Sequence, residues 1–239
     1  MLIYAHRGFS SIYPENTLSA FKAAIDSGAD GIETDIHLSR DGVIVITHDE
    51  NIKRVSNGEG MVKDMSYEEL LKYDFGSWKN KRFKGEKIPT LLELLDLIEG
   101  TDMVLNIEIK MGFVMYPEIE EKALALVTER GMLDRVIFSS FNHYSLDKIK
   151  KLNPSAKVAP LYSEGIFEPH NYAKTLDAYA IHPSKSVIFM PIVEECHKLK
   201  IKVNVWTVDK ITTAKKLEKM GVDAIITNNP LELIKSLRS

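Results

Sequence analysis

Hydrophobic positions along the chain follow two alternating rhythms. Short β-branched runs give way to longer segments whose apolar residues recur every three or four positions, and the change of period separates strands from helices. The runs Leu2 to Ala5, Gly31 to Ile36, Val104 to Ile109, Arg135 to Ser139, Lys157 to Leu161, Ala178 to Ile181, Lys202 to Trp206 and Asp223 to Thr227 predict strands. Helical period runs over Thr17 to Ser27, Thr90 to Ile98, Glu118 to Arg130, Tyr144 to Leu152, Glu168 to Thr175, Pro191 to Leu199, Ile211 to Met220 and Leu231 to Leu237. Gly28, Gly131, Asn153 and Gly221 stand where four of these helices should stop. Strand and helix in alternation predict parallel βαβ units. Eight such pairs, with no Gly-rich dinucleotide fingerprint after the first strand, predict a closed (β/α)8 TIM barrel of the α/β class rather than an open sheet.

Two segments fall outside this rhythm. Val43 to Thr47 follows Ile36 to Ser39 through Ser39-Arg40-Asp41-Gly42, a connection too short for a parallel crossover, so it predicts an antiparallel flap extending the second strand. Glu50 to Lys87 is rich in Lys, Gly, Asn and aromatic residues and predicts an insertion at one barrel rim, with a short helix at Ser66 to Tyr73. Tyr67, Tyr73, Phe75, Trp78 and Phe83 are expected to build a small core of its own. The expected organisation is one barrel over residues 1–239 with a small insertion, at about 50–87, after the second barrel strand and its hairpin flap.

Composition narrows the function. The chain has 239 residues, 44% hydrophobic and 27% charged, which suits a single barrel core. Its 31 basic and 34 acidic residues give a net charge of −3, unlike the basic footprint of a nucleic-acid binder. Any anionic substrate must therefore be met by local charges. The lone Cys196 excludes a disulfide framework or a cysteine zinc site and is expected as a half-buried core thiol. The start MLIYAHRGFS carries no signal-like apolar run, and no stretch approaches a membrane span. A cytoplasmic protein without a membrane span is expected, with no signal for an oligomeric state.

In a (β/α)8 barrel the reactive groups sit at the C-terminal ends of the strands. The first strand ends in His6-Arg7-Gly8, the second carries Glu33 and Asp35, the flap ends in His48-Asp49, and the third strand ends in Glu108-Ile109-Lys110. Residues at i and i+2 share a strand face, so Glu33, Asp35 and Glu108 should converge, each close pair repelling by about 4 kcal/mol at an effective dielectric near 20. A cation is expected there. Hard oxygen ligands without cysteine favour Mg²⁺ or Ca²⁺ over Zn²⁺. His6 and His48 suit the roles of general acid and base in displacement at phosphorus, with Arg7 and Lys110 holding the phosphate.

His6-Arg7-Gly8, Pro14-Glu15-Asn16-Thr17, Glu33-Thr34-Asp35, His48-Asp49, Glu108-Ile109-Lys110 and Val205-Trp206-Thr207-Val208 resemble, in order and spacing, the glycerophosphodiester phosphodiesterases, members of the phosphatidylinositol phospholipase C-like superfamily. The resemblance runs from Ile3 to Pro230. It implies a barrel with an insertion after the flap, and hydrolysis of small glycerophosphodiesters to glycerol 3-phosphate and an alcohol. It also implies Glu33, Asp35 and Glu108 as metal ligands, His6 and His48 as the acid/base pair, and Arg7 and Lys110 as phosphate contacts. By analogy with related phospholipases C, the glycerol 2-hydroxyl attacks phosphorus with His6 as base and His48 protonating the leaving alcohol; direct attack by water is the alternative. The chain departs from the family's usual Thr-Asp-x-Pro after the last strand, reading Thr227-Asn228-Asn229-Pro230. That loss is expected to leave the metal and acid/base groups untouched.

Other residues carry weaker expectations. Glu15 competes between a supporting role and capping the first helix, and Asn16 is expected to hold the His6 loop. Asp49 and His182 are expected to support the site from behind. Phe141 and Trp206, at or beyond strand ends, are expected either to line the pocket and pack on glycerol carbons or, Trp206 more than Phe141, to pack in the core. His37, His143, His170 and His197 are expected to be exposed or structurally bonded. Rival activities are a lysophospholipase D, or a Schiff-base aldolase using Lys110 as nucleophile.

Overall fold

The structure is a computed structural model that describes residues 1–112 and 115–238. Eight parallel strands, β1 (Leu2–His6), β2 (Gly31–Leu38), β4 (Val104–Ile109), β5 (Val136–Ser140), β6 (Lys157–Tyr162), β7 (Ala180–Pro183), β8 (Lys202–Val205) and β9 (Ala224–Thr227), pair in that order, and β9 closes on β1. The ring is the expected TIM barrel. The remaining strand, β3 (Ile44–Ile46), pairs antiparallel with the end of β2 through Ile36 with Ile46 and Leu38 with Ile44, as the short Ser39 to Gly42 turn requires. Every residue of β2 is buried, because its inner face meets the barrel interior and its outer face meets helices.

The helices are α1 (Leu18–Asp26), α2 (Tyr67–Leu70), α3 (Leu91–Ile98), α4 (Ile119–Glu129), α5 (His143–Leu152), α6 (Pro169–Thr175), α7 (Met190–Lys198), α8 (Ile211–Lys219) and α9 (Pro230–Leu237). The third of these shows the local physics. Leu91, Leu94, Leu95 and Ile98 recur on one face and are buried, while Thr90 and Glu93 form a reciprocal capping box at the N-terminus. Truncating a buried leucine such as Leu94 to alanine should cost about 2–5 kcal/mol. The strand expected at Ala178 to Ile181 instead covers Ala180–Pro183. Asp177 takes a left-handed φ of 47° and the Ala178 N–H donates to the Ala173 carbonyl at 3.0 Å, so these residues finish α6 before the strand begins.

Between β3 and α3 the chain wraps a satellite core of Val45, Ile52, Val55, Val62, Leu70, Phe75 and Ile88. Tyr67 and Tyr73 pack against it. Trp78 and Phe83 do not join it, contrary to expectation. Phe83 instead stacks against Tyr13 of the β1–α1 loop at 5.3 Å, and Lys79 Nζ donates to the Ser10 carbonyl at 2.7 Å. The segment thus grips the loop that follows His6. Cys196 is fully buried in the main core rather than half-buried. No helix among the described residues is long and apolar enough to cross a membrane.

Inside the barrel, Tyr4, Val104, Ile137, Ala159, Ala180, Ala224 and Ile226 form two adjoining apolar clusters. Polar side chains in the same strand register, Glu33 and Asn106 among them, lie toward the C-terminal ends. His182 is wholly buried, its Nε2 2.9 Å from the Asn204 amide nitrogen. Burial lowers its imidazole to about 3. His37 is also buried, and burial lowers it to about 4 against the weaker pull of its bond to the His48 carbonyl.

A histidine with a depressed folded pKa binds fewer protons folded than unfolded, so stability rises with pH between the folded value and about 6.5 and is full above it. Chemical denaturation between pH 7 and pH 5 should show stability falling by up to about 1.4 kcal/mol per pH unit for each such imidazole. The variant His182→Gln should flatten that slope by about one proton's worth. An unchanged slope would mean that His182 titrates normally.

Candidate functional site

Strand register brings the carboxylates together. Glu33 pairs with Asn106 and Asp35 with Glu108 across β2 and β4, so two consecutive inward positions of one strand face two of the next. All three carboxylates are buried, and one oxygen from each lies within 4.8 Å of the others. Two cations answer them. Lys110 Nζ sits 3.0 Å from Asp35 Oδ1 and 2.5 Å from Glu108 Oε1. Arg7 Nε makes an ion pair with Asp35 Oδ2 at 3.3 Å, without hydrogen-bond geometry, while its Nη1 donates to Glu15 Oε1 at 2.9 Å.

Two positive groups against three buried carboxylates leave negative charge in excess. Burial works against the charge on Asp35, yet Lys110 and Arg7 hold its carboxyl far below the ordinary range. Glu33 goes the other way, driven well up by burial and then by Asp35 and Glu108. Burial and Asp35 push Glu108 up to about 7 against the opposing pull of Lys110. A carboxylate that its neighbours drive toward protonation, in an oxygen-only donor set, fits a hard divalent cation held by Glu33, Asp35 and Glu108.

The loop after β1 is built for close approach. Gly8 takes φ 77° and a Cβ there would lie 2.7 Å from the Ala20 carbonyl carbon, so only glycine fits. Arg7 and Asn16 also adopt left-handed φ angles of 57° and 58°, and the Asn16 N–H donates to the Arg7 carbonyl at 3.0 Å. The Asn16 side chain reaches further: Nδ2 donates to Asp35 Oδ2 at 2.8 Å and Oδ1 accepts from Thr34 Oγ1 at 3.0 Å. Thr17, not Glu15, caps α1. Glu15 is spanned by Arg7 and by Arg54 of the insertion, and the Arg54 N–H groups also reach Asp49.

Each candidate histidine is held by its Nδ1. His48 Nδ1 donates to Asp49 Oδ1 at 2.6 Å, since a carboxylate only accepts. His6 Nδ1 lies 2.7 Å from Asn228 Oδ1. The Asn228 amide is oriented by Asp209, whose Oδ2 accepts from Asn228 Nδ2 at 2.8 Å and whose Oδ1 accepts from the Asn228 backbone at 2.8 Å. The amide oxygen therefore faces His6, the proton sits on His6 Nδ1, and Nε2 presents its lone pair 3.8 Å from Glu33 Oε2. The departure at Asn228 thus touches His6 directly, a correction to the sequence reading. The contact of Asn228 with His6, and the part of Asp209 in it, were invisible there because they arise only through closure of the ring.

Burial and the neighbouring Arg7 lower His6 to about 4. His48 is lowered as well, by burial and then by Lys110 and Arg7, though Asp35 and Asp49 favour its charged form. His6, Arg7, His48, Glu33, Glu108 and Lys110 line a cavity of about 270 Å³ together with Phe141 and Trp206, whose rings meet edge to face at 5.6 Å. Trp206 Nε1 donates to the His182 carbonyl at 2.7 Å, so His182 supports that wall through its backbone while its ring lies deeper in the barrel. His37 and His143 are structurally bonded, to Tyr116 and the His48 carbonyl and to Tyr172 and the Leu161 carbonyl.

Cleaving a phosphoester calls for titratable groups and cations beside one small anion-sized space, and the mouth of this barrel sets two imidazoles, Arg7 and Lys110 beside a carboxylate trio that fits a divalent cation, which puts the chain in the class of phosphodiester hydrolases. Comparison with known proteins agrees. The model of the glycerophosphoryl diester phosphodiesterase family matches residues 6–232. A glycerophosphodiester phosphodiesterase of Caldanaerobacter subterraneus subsp. tengcongensis is 47% identical over 99% of this chain and 98% of its own length. One from Bacillus altitudinis is 38% identical over 98% of this chain and 96% of its own. The solved structure of an Oleispira antarctica phosphodiesterase in complex with the product sn-glycerol-3-phosphate superposes with a TM-score of 0.90 at 31% identity, covering 100% of this chain and 97% of that one. The chain belongs to the glycerophosphoryl diester phosphodiesterase family.

The amide at position 228 should set the affinity of His6 for a proton. In Asn228→Asp a carboxylate would face Nδ1, and the His6 pKa, followed by NMR of histidine-labelled metal-free protein, should rise by roughly one to three pH units. No rise would show that Asn228 does not hold the ring.

Proposed function

We propose that this chain hydrolyses small glycerophosphodiesters to glycerol 3-phosphate and an alcohol, with a divalent cation, Mg²⁺ or Ca²⁺, held by Glu33, Asp35 and Glu108. The observation that carries the reading is that Glu33 and Glu108, clustered with the buried Asp35, line the same cavity as two imidazoles whose Nδ1 atoms are both taken. The bound cation would polarise a phosphoryl oxygen and offset charge that develops on it. The product held by the Oleispira antarctica enzyme supports the glycerol phosphate half of the substrate.

The roles of the two histidines follow from their partners. His6, backed by an amide and lowered to about 4, is neutral and offers Nε2 as the base that takes the proton of the attacking hydroxyl. His48, backed by the Asp49 carboxylate, is the better carrier of a proton to the departing alcohol oxygen. Arg7 and Lys110 counter the phosphate's charge. Phe141 and Trp206 give the glycerol carbons an apolar wall. The attacking hydroxyl is either the substrate's glycerol 2-hydroxyl or water, and a cyclic glycerol phosphate trapped by rapid quench distinguishes the first from the second. A Schiff-base aldolase is disfavoured. Burial alone would discharge Lys110, yet Asp35 and Glu108 raise its pKa above the ordinary range and keep it an ammonium, which is no nucleophile.

Protein stripped with EDTA should release no glycerol 3-phosphate from glycerophosphocholine or glycerophosphoethanolamine, and Mg²⁺ or Ca²⁺ should restore turnover. His6→Ala and His48→Ala should each lose roughly 10²-fold or more in kcat with metal present. Glu108→Ala should lose both activity and the rise in melting temperature on adding the metal. Full turnover after stripping would refute the metal's role, and none on any glycerophosphodiester would refute the substrate.

A further inference from the structure

The network that joins Glu15, Arg54 and Asp49 has no counterpart in the roles assigned above. Arg54 grips Glu15 with two N–H groups, Nη1 to Oε2 at 3.0 Å and Nη2 to Oε1 at 2.8 Å, and turns its Nε to Asp49 Oδ2 at 2.5 Å. The other oxygen of Asp49 receives His48 Nδ1 at 2.6 Å. A free carboxylate can rotate and hand its oxygens to water. With one oxygen clamped by a planar guanidinium, the second stays aimed at the imidazole, and His48 is held in turn where it lines the cavity.

The backbone that carries Arg54 is itself fixed. Arg54 ends a short 3-10 turn, Ile52–Arg54, and Ile52 and Val55 on either side of its Cα region are buried in the satellite core. Asn51 caps the turn by accepting from the Lys53 N–H at 3.0 Å, and the Ile52 N–H donates to the Gly60 carbonyl at 3.1 Å. Arg54 itself is 44% exposed at its side chain, where an isolated ion pair adds little to stability. Three directed N–H bonds to two carboxylates at such a place serve orientation better than stability. Glu15, the second carboxylate, also receives Arg7, so the clamp spans from the insertion to the loop after β1.

We propose that Arg54 is a positioning residue for the hydrolysis: the insertion delivers a guanidinium that locks Asp49, and through it His48, in the geometry for proton delivery. The proposal rests on the hydrolase reading above and adds a function for the insertion, which makes the rim segment part of the proton-transfer apparatus.

The test compares wild type with R54A, R54K, D49N and R54A/D49N, using glycerophosphocholine with saturating Mg²⁺ or Ca²⁺. The expected result for R54A is a kcat lower by roughly 10- to 100-fold, as for a misplaced reacting group, with KM within about threefold of wild type. R54K should be nearly as impaired, because an ammonium cannot span two carboxylates. Added guanidinium ion should restore part of the R54A activity, and R54A should cost D49N no more than about a further twofold. In histidine-labelled protein the downfield His48 Nδ1 proton signal should broaden or vanish in R54A and persist in wild type. A kcat for R54A within about twofold of wild type would overturn the proposal, as would R54A and D49N losses that multiply, since Arg54 would then act through Glu15 and Arg7. Melting curves separate misfolding from mispositioning, and R54K serves if R54A does not fold. Should the wild type turn over no glycerophosphodiester, the hydrolase reading fails, and the His48 proton signal alone decides: its persistence in R54A overturns the positioning role.

Discussion

Glu33, Asp35 and Glu108 are forced to one point by strand register, since β2 and β4 pair in phase and alternate side chains of each strand share the inner face. Like charges so close in a buried place repel by several kcal/mol per pair, even at the effective dielectric that suits protein sites. Nearly every other feature of the barrel mouth can be derived from that cost. Arg7 and Lys110 are drawn in as partial counter-charge. Asn16 spends both halves of its amide on β2, donating to Asp35 and accepting from Thr34. The left-handed residues Arg7 and Gly8 let the β1 loop fold close enough to bring its guanidinium to the cluster.

The two histidines beside that cluster are told apart by what lies behind them. Both are lowered from the ordinary value, yet they differ in the group behind them, an amide for His6 and a carboxylate for His48. Two imidazoles of one chemical type are thereby given different surroundings by contacts made outside the cavity, which is what the proposed division into base and acid rests on. The carboxylate behind His48 comes from the flap end, and the amide behind His6 from the loop after the last strand. The ring of strands brings these separate loops to one mouth, which is how a single scaffold assembles a site from distant pieces of chain.

Local regularities made much of this readable in the sequence. Period-two spacing put Glu33 with Asp35 and Glu108 with Lys110, and the change from period two to helical period placed each strand to within a few residues. The strand at Ala180–Pro183 was misplaced by the unusual helix ending at Asp177, a backbone conformation that composition does not announce. What stayed hidden shares a cause. Asn228 lies 222 residues from the histidine it holds, and Arg54 lies 39 residues from Glu15, so neither pair leaves a local pattern. His182, near the end of β7, turns its ring into the barrel and reaches the cavity wall only through its backbone carbonyl. The insertion's Phe83 followed the same rule, its ring partner Tyr13 sitting on the loop after β1, whereas Trp78 bonds the Phe75 carbonyl within its own segment.

The pairing of β1 with β9 bears on how the molecule is made. His6 lies on β1, while the Asn228 that its Nδ1 meets follows β9, at the other end of the ring's chain order. Until that final strand docks, the ring is open, its first strand lacks a neighbour, and the amide stands far from the imidazole. Such end-to-end contacts carry the largest loop-closure cost in a fold and form late. A chain whose β9 has not docked would therefore hold the carboxylate cluster without the amide that orients His6, and the state of that imidazole becomes a sensitive report that the barrel has been completed.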